Sequence, residues 1–94
     1  MWFTSTSGRV ELQITRAQAE SCAHIGPCDS DVAALRTHPK IRRQLDKLDR
    51  EAVRKELREA GAYSADELQD HQANLTRILW VACNEITERC AMAH

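Results

Sequence analysis

Aromatic residues are scarce, with two Trp, one Phe and one Tyr in 94 residues, and none of them falls between positions 36 and 58, where the basic side chains gather. That stretch therefore has no ring on which a base could stack. Glycine is nearly as rare: Gly8, Gly26 and Gly61 stand alone, so no glycine-rich loop can cradle a phosphate. A serine elbow and a His-Glu zinc pair on one helix turn are also missing, and the acidic residues sit in capping and surface patterns. These absences remove support for catalysis. The expectation is a non-enzymatic protein with no cofactor. No apolar run approaches the ~20 residues of a membrane span, and Met1 to Ser5 lacks the charged start and apolar core of a signal peptide. No membrane partner is expected. A cytoplasmic setting is, in which the four cysteines would be reduced.

The apolar content is 43%, but 13 of those residues are Ala and four are Cys, leaving 23 large ones, enough for one thin core in a single domain over 1–94. A chain of this length buries only about 60 to 65% of its unfolded surface. A second copy that completes the core is thus an option, and a homodimer is one expected partner state. Net charge is −1, distributed as −2 over residues 1–35, +5 over 36–58 and −4 over 59–94.

Periodicity assigns a mainly α fold with a short N-terminal β-hairpin, about five helices and a long last one. Val10, Leu12 and Ile14 alternate with polar residues at the strand period, Trp2 to Thr4 read as extended, and Ser5 to Gly8 form the turn. Thr15 and Gln18 compose a capping box that opens a helix near Arg16, expected to end at Gly26-Pro27. Asp29 or Ser30 starts a second helix holding Val32 and Leu35, broken at His38-Pro39. Pro39 then sits in the first turn of a helix whose stripe is Ile41, Leu45 and Leu48. Asp49 precedes another with Val53, Leu57 and Ala60, ended by Gly61. A second box at Ser64 to Glu67 is expected to open the longest helix, running to about Arg89 with Leu68, Leu75, Leu79 and Ile86 as its stripe.

Three constellations carry possible chemistry. Cys22, His24 and Cys28 offer zinc ligands within seven residues, but the spacing matches no closed site and a fourth ligand would have to come from His38, His71, Cys83, Cys90 or His94. The expectation is core thiols and no metal. The basic segment from Arg36 to Arg58 spans two helices and invites a helix-turn-helix reading with Arg42, Arg43 and Arg54 as phosphate contacts. Asp46, Asp49, Glu51 and Glu56 interrupt it at spacings that allow pairing along the helix, which favours a solvated, self-paired face without specific nucleic-acid binding. The run Ile78 to Cys83 is apolar around the whole helix, so Trp80 and Val81 point away from the Leu79 face. Either the helix is central and wrapped by the others, or that far side meets a second copy or a target protein. The narrow stripes of the other helices favour an intermolecular contact through Trp80 and Val81.

The segment Gly8 to Ala19, with Gly26 to Leu35, Gly61-Ala62-Tyr63 and Ile78-Leu79-Trp80, resembles small uncharacterised proteins of phages, prophages and related mobile elements. The resemblance spans most of the chain and carries over no catalytic or ligand residue. What it implies is a class of compact accessory proteins that bind host proteins, among them inhibitors of bacterial defence such as anti-CRISPR proteins. Small DNA-binding transcriptional regulators, here using the 36–58 segment, are the alternative. The expected function is a protein-binding module acting on a host protein or complex, such as an inhibitor of a defence complex that targets nucleic acid. Asp66, Glu67, Asp70, Glu85 and Glu88 are candidate contacts to a basic groove, beside Trp80 and Val81.

Overall fold

The computed structural model describes residues 1–5, 7–22, 25–26, 30–59 and 69–92. Strands β1 (Trp2–Thr4) and β2 (Glu11–Gln13) are followed by helices α1 (Arg16–Cys22), α2 (Ser30–Arg36), α3 (Pro39–Asp46), α4 (Arg50–Glu59) and α5 (His71–Met92). The two strands pair antiparallel with Phe3 opposite Leu12, so one face of the hairpin carries both of these side chains into the core. The turn closes through bonds from the Gly8 N–H to the Ser5 carbonyl and from the Ser5 N–H to the Val10 carbonyl, each 2.9 Å. Gly8 takes φ +75°, a conformation that costs an L side chain energy. The free edge of β2 is covered by a side chain. The Gln13 N–H donates to Gln44 Oε1, and Gln44 Nε2 donates to the Gln13 carbonyl at 3.0 Å, so α3 supplies an amide where a third strand would lie.

The expected box at the start of α1 forms in full. The Gln18 N–H donates to Thr15 Oγ1 at 3.2 Å and the Thr15 N–H donates to Gln18 Oε1 at 3.0 Å. Pro39 opens α3 behind an extended His38, whose carbonyl accepts from the Arg42 N–H at 2.9 Å.

Two expected boundaries differ. Helix α1 is described to Cys22, and Ile25, ahead of Gly26, is already non-helical: its N–H donates to the Cys22 carbonyl at 3.2 Å and it packs half-buried on the core. The long helix does not run from Ser64. Gln69 and Asp70 are not helical, and Asp70 is the cap, its Oδ1 accepting from the Gln72 and Ala73 N–H groups at 3.0 and 3.4 Å. The box at Ser64, the stripe residues Ala60 and Leu68 and the stop at Gly61 lie outside the described residues.

Helix α5 is the centre of the molecule. Leu75, Ile78, Leu79, Ala82, Cys83 and Ile86 are buried on it, and α1, α2, α4 and β1 all pack against it. Of the two arrangements the sequence allowed, this is the central helix wrapped by the others. Its coverage is uneven, however, since Trp80 and Val81 remain only half-buried. The radius of gyration is 12.3 Å, the size of a compact chain of this length. No helix among the described residues is long and apolar enough to cross a membrane.

Two thiols are buried where α1 meets α5. The Cys22 thiol donates to the Ala19 carbonyl at 3.5 Å within α1, and the neighbouring Cys22 thiol together with burial pushes the Cys83 thiol far up. A raised acid keeps its proton in the folded chain while the unfolded chain loses it above about pH 8.5. The Cys83 contribution is therefore complete below that pH and falls as pH rises, by at most about 1.4 kcal/mol per pH unit, while Cys22, lowered by the Cys83 thiol, contributes with the opposite sign at lower pH. Urea titrations between pH 8 and 10 should show this slope in the parent and a shallower one in Cys83→Ala.

Candidate functional site: an acid-rimmed groove

A groove of about 360 Å³ opens between the hairpin, α4 and α5. Its floor is Phe3, Val10, Leu57, Ile78 and Val81, and its walls carry Glu56 and Glu59 on one side and Glu85 on the other. Local structure explains each position. Phe3 and Val10 come from the inward face of the hairpin, and Leu57 belongs to the buried stripe of α4 with Val53. Ile78, Val81 and Glu85 recur at three- and four-residue steps, which places them along one side of α5.

Glu56 and Glu59 are one turn apart and flank the α4 stripe. Both are held by the hairpin turn: Arg9 Nη1 lies 2.9 Å from Glu59 Oε1 and 3.6 Å from Glu56 Oε1, and the Ser7 hydroxyl donates to Glu56. The Glu56 side chain is only 12% exposed, whereas those of Glu59 and Glu85 are about half open. Glu85 has its cation on its own helix, Arg89 at 3.7 Å. The Ser5 hydroxyl, also on the wall, accepts from the Val10 N–H at 3.1 Å. Among the described residues the lining thus presents an apolar bed under three carboxylates, with no cation of its own.

The candidate residues read from sequence separate here. Val81 and Glu85 line the groove. Trp80 does not: it packs half-buried against the core, and its buried Nε1 has no hydrogen-bond partner among the described residues. Asp70 is occupied as the α5 cap, Glu88 is exposed on the Val81 side of α5 one turn beyond the lining, and Asp66 and Glu67 lie outside the described residues. Sequence reasoning missed Phe3, Val10, Glu56 and Glu59 as lining residues. Glu56 was expected to pair within its own helix, yet it reaches back to Ser7 and Arg9. The signal available was the pair of glutamates three apart beside the buried Leu57, an acidic edge on an otherwise basic helix.

The basic segment does not form one surface. Arg36 donates to the Gln72 carbonyl at 3.3 Å, to Thr76 Oγ1 at 3.1 Å and to Gln72 Oε1, and Arg50 donates to the Gln69 carbonyl at 3.1 Å. These two guanidiniums tie α2 and α4 to the start of α5. Arg42 and Arg43 are exposed on α3, with Arg42 3.8 Å from Asp46, while Arg54 is half-buried on α4. Helix α3 packs on β2 and α2, and α4 on α5. Among the described residues no three His, Cys, Asp or Glu side chains converge as metal ligands. Cys22 is fully buried with its thiol donating to the Ala19 carbonyl, and its expected neighbours His24 and Cys28 lie outside the described residues. Comparison with family models, curated proteins and solved structures found no match to this chain.

Proposed function

We propose that this chain is a non-enzymatic protein-binding module whose contact surface is the groove between the hairpin, α4 and α5. The observation that carries this is the half-buried Val81, an apolar residue of the central helix that the other described residues leave half-exposed at the bottom of an acid-walled cleft. A patch of this kind suits a protein partner, because an apolar centre supplies affinity and a charged rim supplies selectivity. The finer reading is a mobile-element protein that blocks a host complex targeting nucleic acid. It rests on the resemblance of the Gly8 to Ala19 segment and on the acidic rim, whose sign matches the basic surface that such a complex offers.

Tagged protein and its Val81→Arg variant, each recovered from the cell that expresses it, provide the test. A stoichiometric protein partner retained by the parent and lost by the variant supports the groove. Equal retention by both removes it.

A further inference from the structure

We infer that the occupant of this groove is a basic segment of another protein, an arginine or lysine beside apolar side chains, and that Arg9 is an internal cation standing in part of its place. This rests on the groove being the binding surface, and it adds the chemistry of what binds there.

The volume of about 360 Å³ lies at the small end of ligand cavities, suited to a few side chains rather than a large cofactor. An apolar anchor would lie on Phe3, Leu57, Ile78 and Val81, and its charged neighbour would meet carboxylates whichever wall it faced. The two walls are not equally satisfied. On the α4 wall a guanidinium already bridges Glu56 and Glu59, which shows that this pair accommodates a planar cation. On the α5 wall Glu85 has only the looser contact with Arg89, and its side chain is 41% exposed. Three carboxylates against two exposed cations leave the groove negative, so a cationic side chain is favoured at the Glu85 wall. Arg9 is itself 36% exposed, sits in the tight turn of the hairpin and meets α4 through its side chain. A second cation entering at the α4 wall competes with it for the same two oxygens.

That competition yields a result that a merely greasy groove would not give. The probe is a labelled 12-residue amphipathic peptide of leucine and arginine, compared with versions in which glutamine or glutamate replaces arginine, with binding read by fluorescence anisotropy at low and moderate salt. The arginine peptide should bind and weaken severalfold as salt rises, and the other two should bind at least tenfold more weakly. Arg9→Gln should tighten the arginine peptide threefold or more, Glu85→Lys should weaken it tenfold or more, and Glu20→Lys, exposed on α1 outside the groove, should leave it unchanged. Circular dichroism establishes that each variant is folded.

Absence of binding by the arginine peptide, equal binding by the glutamine peptide, or equal weakening by Glu85→Lys and Glu20→Lys would overturn the inference. So would an Arg9→Gln variant that binds no tighter. If these results appear while Val81→Arg still releases the cellular partner, the groove is the binding surface for a partner of other chemistry. If Val81→Arg also retains the partner, the groove itself is not the binding surface.

Discussion

Leu79→Ala should lower the stability of this chain by about 2 to 5 kcal/mol, the range for emptying a fully buried leucine site. Leu79 is completely shielded, and it lies on the side of α5 that the other elements enclose, so few neighbours can move in without leaving their own contacts. Total stability for a domain of this kind is about 5 to 15 kcal/mol, so the loss is a large part of what holds the fold. Each kcal/mol corresponds to a midpoint shift of about 4 to 8 °C at this size. Leu48→Ala is the comparison, because Leu48 is half-buried just after α3 and removes less apolar area from water. Urea denaturation should rank Leu79→Ala well above Leu48→Ala. Equal costs would mean that α5 is not the centre of the core.

The second large effect is expected from Val81→Arg, this time on association. Val81 is half-buried, and a long side chain at this position can carry its charge to the solvent end of the groove, where Glu85 stands one turn further along the helix. The fold should therefore survive, with an unchanged circular dichroism spectrum and a midpoint within a few degrees of the parent. Association should fall at least a hundredfold, because the new side chain fills the apolar bed and neutralises a wall at once. A variant that unfolds would place position 81 in the interior and move the search for a contact surface to the outer face of the hairpin.

The contrast between these two neighbouring sites shows what the sequence could express. The i, i+4, i+11 spacing of Leu75, Leu79 and Ile86 marks the enclosed face of α5 directly, and all three are buried. The hairpin alternation, the Thr15 box and the proline at the start of α3 were legible for the same reason: each is decided within a few residues. The start of α5 was not. Two cap signals lie close together, and the strongest local pattern, at Ser64, is not where the described helix begins. Asp70 caps it without a glutamate or glutamine three residues on, so no box marks the site in sequence. The groove was the least legible feature because no single segment builds it. Phe3 and Val10 face it from the hairpin, Glu56 and Glu59 from α4, and Val81 and Glu85 from α5. Glu56 is bound by a turn 47 to 49 residues earlier in the chain, a pairing that helix spacing cannot forecast. Charge counting by segment placed Glu56 inside a basic stretch, whereas in space it forms an acidic wall with Glu59 opposite Glu85.

The central claim is that a protein partner sits in this groove and not on the basic side of α3. Site-specific photocrosslinking tests it most directly, with a photoreactive amino acid placed at Glu85 on the groove rim or at Arg43 on exposed α3, and irradiation in the cell that expresses the protein. The account predicts a covalent adduct to a different protein from position 85 and none from position 43. An adduct to nucleic acid or protein from position 43 alone, or an adduct from position 85 to a second copy of this chain, would contradict it.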